Sequence, residues 1–199
     1  MAKLKLFDKW ELEAEIRDRG LARYINLGGI VIPHTHGRHE HKRFRKGSIP
    51  IVERYINRLM SPGLAGRSRS GRKTHSISGK KQKTMKIVER AFEIINLKTG
   101  KNPVQILVRA IENCAPREET TRVSYGGIAY SQSVDVAPLR RLDLSLRYLV
   151  EESWKASYKN ISRVEECIAN ELILAANNSP NSGAIRRKEE KERIAASTR

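Results

Sequence analysis

Four histidines, His34, His36, His39 and His41, lie in one short stretch, and a glycine-rich run follows, Gly66-Arg67-Ser68-Arg69-Ser70-Gly71-Arg72-Lys73-Thr74. The first could ligate a metal ion and the second could cradle a phosphate. Metal binding needs converging neutral imidazoles, but Arg38, Lys42 and Arg43 would repel a divalent cation and no cysteine is near. A P-loop needs lysine directly after its second glycine, between a strand and a helix. Here Arg72 occupies that position, Lys73 comes one place late, and an amphipathic segment precedes the run. The carboxylate pairs Glu118-Glu119 and Glu151-Glu152 follow or sit in amphipathic stretches, so they read as solvated faces rather than an acid/base couple. No serine or cysteine stands in a pattern with a base. Neither catalysis, a metal centre nor a cofactor is expected, and the basic residues read better as contacts to a polyanion.

The charge distribution agrees. The chain of 199 residues carries a net +17, and residues 34–90 alone, with 16 Lys and Arg against 3 acidic residues, account for +13. Such an excess repels itself in a compact state, which implies a polyanionic partner, nucleic acid before an anionic membrane surface. Within residues 61–83, Arg67, Arg69, Arg72, Lys73, Lys80, Lys81 and Lys83 meet no acidic residue and little core material. That segment is expected to order on a phosphate backbone. The hydrophobic content of 39% supports a folded core. The longest apolar run, Leu172–Ala176, is far short of the roughly 20 residues of a membrane span, and Asp8 precedes any signal-like apolar region. Cys114 and Cys167, both in stretches of helical period, suit a reducing cytosol.

Something rigid must position these cations, and hydrophobic periodicity says what. Trp10, Leu12, Ala14 and Ile16 alternate with charged residues, which predicts a strand closed by Gly20. From Ser48, with Pro50 in an early turn, Ile51, Val52, Tyr55, Ile56, Leu59 and Met60 form a helical stripe ending at Pro62-Gly63. A second helix is predicted from about Thr84 to Leu97, burying Ile87, Val88, Ala91, Ile94 and Ile95. A third starts at Asn102-Pro103, with Gln105 completing a pattern like a capping box. After Ala115-Pro116 the period becomes two on either side of Gly126-Gly127, the signal of a hairpin with a two-residue turn. Tyr125 and Tyr130 flank that turn, where they could stack on bases or pack on each other, and Phe44 in the basic arm is a further aromatic contact. Pro138 opens a long helix to about Ser157, and Ser162 with Glu165 reads as a capping box for the next. The last segment, 184–196, is helical by propensity but nearly all polar. Glu189 with Arg193 would support it at i, i+4, and Arg186-Arg187-Lys188 points to a partner outside the core.

Several of these motifs, in this order, closely resemble one family. They are Pro50-Ile51-Val52-Glu53-Arg54, the run KIVERAFEII from Lys86 to Ile95, Asn102-Pro103 and Cys114-Ala115-Pro116-Arg117-Glu118. Val134-Asp135-Val136, Pro138-Leu139-Arg140-Arg141 and the closing Asn181-Ser182-Gly183-Ala184-Ile185-Arg186-Arg187-Lys188-Glu189-Glu190 complete the set. Over about residues 47–199 the chain is similar to ribosomal protein seven of the small subunit, of archaeal and eukaryotic type. The resemblance implies a mainly α fold, a bundle of about six helices with a protruding two-stranded β-hairpin at about 120–136, and a basic N-terminal extension over 1–46. It implies a non-enzymatic, cytoplasmic ribosomal constituent that binds the 3′ major domain of small-subunit ribosomal RNA and nucleates head assembly. It also implies neighbouring head and platform proteins, and a hairpin near exit-site tRNA and mRNA. Carried onto this chain, the RNA contacts are Arg38, Lys42, Arg43, Arg45 and Lys46 in the arm, and Lys80, Lys81 and Lys83 before the second helix. Arg117, Arg122, Arg140 and Arg141 join them around the hairpin. The residues themselves add Arg67, Arg69, Arg72 and Lys73 in the loop, Tyr125 on the hairpin, and Arg186, Arg187 and Lys188 in the last helix. A competing reading is an RNA- or nucleotide-processing enzyme using loop 61–79 or the His34–His41 cluster.

Overall fold

The computed structural model describes residues 4–62 and 77–199. The glycine-rich run, with Arg67, Arg69, Arg72 and Lys73, lies outside the described residues. In chain order the elements are β1 (Lys5–Leu6), β2 (Trp10–Glu11), α1 (Arg19–Ala22), α2 (Ile51–Leu59), α3 (Lys81–Thr99), α4 (Pro103–Cys114), β3 (Glu118–Tyr125), β4 (Ile128–Asp135), α5 (Pro138–Ser157), α6 (Val164–Ala176) and α7 (Gly183–Ala196). A 3₁₀ turn, Arg45–Ser48, leads into α2. The fold is mainly α with a two-stranded antiparallel hairpin, as the periodicities and the resemblance imply.

One core unites the helices: Phe92 and Ile95 of α3, Leu107 and Ile111 of α4, Leu142 and Leu149 of α5, Ile168 and Leu172 of α6 and Ile185 of α7 are all buried together. The N-terminal residues join it, since Leu6, Trp10, Leu12, Leu21 and Ile25 belong to the same cluster. Trp10 meets Phe92 edge to face with ring centroids 5.7 Å apart. The expected single strand through Ile16 is instead a tight β1–β2 hairpin followed by an extended segment, and Gly20 sits inside α1. Asp18 stops the extended run by accepting the Gly20 N–H as the cap of α1.

Local signals worked where the cap is self-contained. Asn102 accepts the Val104 N–H and Pro103 occupies the first turn of α4, while Gly100 ends α3 at φ 65°. Gln105 does not complete a capping box. Its amide holds the extended N-terminal segment, accepting from Glu15 N at 2.7 Å and donating to Glu15 O at 3.1 Å. The Ser162–Glu165 box is also not formed, because α6 starts one residue later, with Arg163 at the cap position and no side-chain cap bond. Within α3, Phe92 is fully buried whereas Ile94 is only partly so. The hairpin matches its expected turn, with Tyr125 paired to Ile128 and Gly126-Gly127 at φ 59° and 82°, values that L side chains resist.

The last helix has only a short apolar face, Ala184, Ile185 and Ala195, and a charge cluster adds to what holds it. Ser182 caps α7 by accepting the Ile185 N–H, and Arg187 reaches both Glu151 and Glu152 on α5, the latter at 2.6 Å. Its i, i+4 ion pair is Lys188 with Glu192, at 3.9 Å, not Glu189 with Arg193. Gly183 is required at the start of α7, because a Cβ there would lie 2.5 Å from Glu152 Oε2 and 2.7 Å from its Cγ. Gly183→Ala therefore displaces Glu152 from Arg187 and is expected to lower stability by about 1–3 kcal/mol in urea unfolding.

Candidate nucleic-acid interface

Residues 34–49 form an arm that lies against α2 and the first half of α5. Between them runs a groove of 710 Å³, with Phe44, Lys46, Arg54, Arg58, Arg140 and Arg147 on its walls. Glu40 and Asp143 are the only carboxylates in its lining among the described residues, and all five cations are also held by ion pairs, to Asp143, Glu119 or Glu151, so they form a fixed cationic wall rather than free charges. Arg54, the most buried of these, donates to Asp143 Oδ1 at 2.7 Å, and Lys46 holds the other oxygen of that carboxylate. Burial lowers the Arg54 pKa and Asp143 works against that loss, so the guanidinium is fixed in place as a charged wall. Arg147 Nε lies 2.6 Å from Glu151, and Arg58 reaches the same carboxylate at 3.5 Å.

Phe44 is 71% exposed and sits at φ 64°. A bulky residue in the left-handed region is strained, and no core packing repays the strain. Arg43 stacks its guanidinium over the ring, 5.2 Å from the centroid. The result is an exposed aromatic plate with a cation at its face, beside a cationic groove. That combination suits a ribose-phosphate backbone with unstacked bases, which offers anionic oxygens and flat π faces together.

The expected contact residues divide into two sets. Arg38, Lys42, Arg43, Arg45, Lys80, Lys83, Arg122 and Arg186 are exposed and make no ion pair among the described residues. Arg117 is exposed too, at the foot of the hairpin, where its backbone N–H donates to Glu192 at 2.9 Å. Others are already engaged within the fold. Lys81 reaches buried Glu53 at 2.6 Å, Arg141 reaches Asp18 at 2.8 Å, and Arg187 and Lys188 are held as described above. Arg140 grips Glu119 on β3 through Nε at 2.5 Å and Nη2 at 3.0 Å, yet stays 58% exposed, so it anchors the hairpin and still lines the groove. The Arg140 hydrogen bonds hold the Glu119 carboxyl below its usual range. Arg54, Arg58 and Arg147 were missing from the expected contacts. Arg54 and Arg58 are spaced i, i+4 on α2, and Arg140 and Arg147 i, i+7 on α5, a signal in the sequence that would have found them.

The hairpin carries its own exposed face. Val123 pairs with Tyr130 and Tyr125 with Ile128, so all four side chains point the same way and all are exposed. Tyr125 and Tyr130 are diagonal rather than directly opposite. In the histidine stretch, His34 and His36 stack with ring centroids 4.0 Å apart, and His39 meets Glu40 at 2.8 Å. Among the described residues no group of three or more His, Cys, Asp and Glu side chains could hold a metal, and no helix is long and apolar enough to cross a membrane. Cys114 and Cys167 are both buried and unpaired, with burial raising both thiol pKa values.

Comparison with known proteins converges on one family. The family model described as ribosomal protein S7p/S5e matches residues 21–199. A small ribosomal subunit protein uS7 of Methanothermobacter thermautotrophicus is 52% identical over 193 residues, covering 96% of this chain and 97% of its own. A protein of the same name from Methanosphaera stadtmanae is 48% identical over 194 residues, covering 97% of each. With a mainly α body, a Gly-Gly hairpin and a family match over nearly the whole length, this chain belongs to the S7 family of ribosomal proteins.

Proposed function

We propose that this chain is a structural constituent of the small ribosomal subunit that binds ribosomal RNA in the groove between the 34–49 arm, α2 and α5. Members of its family are ribosomal constituents rather than enzymes, which leaves the competing enzyme reading without support. The observation that carries the RNA site is the exposed, strained Phe44 plate beside five groove cations. The RNA is the 3′ major domain of the small-subunit ribosomal RNA, and binding it nucleates assembly of the head in the cytoplasmic ribosome. The hairpin extends toward exit-site tRNA and mRNA. Its exposed face of Val123, Tyr125, Ile128 and Tyr130 supports that role, because such a face offers unpaired bases a stacking surface. Neighbouring head and platform proteins are its protein partners.

Phe44→Ala tests the groove. Removing one stacking ring is expected to weaken binding to a 3′ major domain transcript by about 1–3 kcal/mol in filter binding. Because Phe44 is exposed, the thermal melt should not fall. Unchanged affinity would overturn the groove as the RNA site.

A further inference from the structure

Two of the four arm histidines close a contact that only an uncharged ring can make. His34 Nδ1 accepts the His36 N–H at 3.1 Å, and Lys81 Nζ at the start of α3 lies 3.3 Å from the same nitrogen. A backbone N–H and an ammonium can only donate, so Nδ1 must present its lone pair to both. The two rings stack, and His36 and Gly37 are both left-handed, at φ 52° and 73°, so the chain reverses there.

This contact sits where the arm leaves the body. Thr35, between the two histidines, donates its N–H and hydroxyl to buried Glu53 of α2, and Lys81 meets the same oxygen. Beyond it, among the described residues, the hydrogen bonds of residues 37–45 close within the arm itself, and the next polar tie to the body is Lys46 with Asp143. Phe44 is thus carried on a loop pinned at its two ends, and the clasp at residues 34–36 is one of the pins.

The surroundings of the clasp resist a proton. Partial desolvation, then Lys81 of α3 and His36 of the arm, hold the His34 pKa below its ordinary value, with Glu53 of α2 opposing them. Arg38, His39 and Arg45 line the pocket that His34 and His36 share. A base whose folded pKa is lowered contributes fully above its unfolded pKa, about 6.5, and the contribution is lost as pH falls through the folded one.

We propose that the His34–His36 contact is a proton-sensitive latch on the RNA-binding arm: a proton on Nδ1 removes the acceptor, sets His34 against Lys81, and loosens the 37–45 loop that presents Phe44. The latch rests on the groove reading for its effect on RNA affinity, and on the clasp alone for its chemistry.

His34→Asn tests it, because an asparagine Oδ1 accepts the N–H two residues on at any pH. In the full-length wild type, NMR order parameters of residues 37–45 should fall to below about 0.6 as His34 protonates, and in His34→Asn they should not. Order that survives His34 protonation, or is lost equally in the variant, would overturn the latch. In filter binding to the 3′ major domain transcript at fixed salt, the two proteins should match at about pH 7.5. Below about pH 6.5 the wild type should bind more weakly than His34→Asn, by up to about tenfold per pH unit, the limit for one linked proton. Where Phe44→Ala weakens binding, a wild type that still matches His34→Asn in acid contradicts the latch. So does one that binds more tightly there, as a histidine contact to phosphate would. Order lost in acid with affinity insensitive to Phe44→Ala rejects the groove and keeps the latch.

Discussion

Raising monovalent salt from about 50 to about 200 mM is expected to weaken binding to the small-subunit RNA domain by on the order of 10³, as for about six neutralised phosphates. Each Lys or Arg that meets a phosphate releases condensed counterions, and added salt makes that release less favourable. The residues able to do this are the exposed cations free of ion pairs among the described residues, chiefly Arg38, Lys42, Arg43, Arg45, Lys80, Lys83 and Arg122. Lys81, Arg141 and Arg187 already face carboxylates in the fold, so they should add little to the slope. Filter binding across a salt series measures it. A flat profile would contradict phosphate-dominated binding. Lys42→Gln should lower the slope by about one unit and Lys81→Met should not.

Lys81→Met should instead reduce stability, by about 3 kcal/mol or more. Glu53 is fully buried, and Oε1 is shared by Lys81 Nζ at 2.6 Å, the Thr35 N–H at 2.9 Å and the Thr35 hydroxyl at 3.0 Å. Its other oxygen has no partner among the described residues. Removing Lys81 strands a carboxylate in the interior, whereas removing Glu53 leaves a lysine whose side chain is 16% exposed and can find water. Lys81→Met should therefore cost more than Glu53→Gln, and the double variant should recover much of the loss. For a chain of this length the single change lowers Tm by roughly 6–12 °C.

The pH dependence has a definite sign. Burial raises the Glu53 pKa, but Lys81 and Thr35 outweigh it, so the folded value lies below the usual carboxylate range. The contribution is present above the unfolded pKa and is lost as pH falls through the folded one. In Lys81→Met the same carboxyl keeps burial and loses its ammonium, so its pKa rises and it protonates readily. The stability gap between wild type and variant should close on acidification, read by urea titration at a series of pH values. A gap that widens at low pH would rule this account out. His34 acts in the same direction, because burial, then Lys81 and His36, lower its pKa and disfavour the protonated ring.

Much of the scaffold was legible because its signals are local. Asn102-Pro103 and Gly126-Gly127 impose their geometry through neighbouring backbone alone, and each sits where it was expected. The N-terminal segment was not legible. Its alternation describes residues that become a short hairpin and an extended run, because Gln105 and Glu112 on α4 take up the backbone N–H groups of Glu15, Arg17 and Asp18 from about 90 residues away. Gln105 and Ser162 show the same limit, since a capping pattern yields when a distant partner or a shifted helix start competes for it.

The sequence by itself determined the sign of the charge, its concentration between residues 34 and 90, and the periods of the helices and hairpin that carry it. These follow from composition and from contacts a few residues long. Only the tertiary structure decided which cations remain for a ligand. Lys81, Arg187 and Arg141 find their carboxylates 28, 36 and 123 residues away, and Arg54 meets Asp143 across 89. Whether a basic side chain is an internal tie or a free contact depends on what the folded chain brings within hydrogen-bond reach. Sequence spacing does not encode that distance.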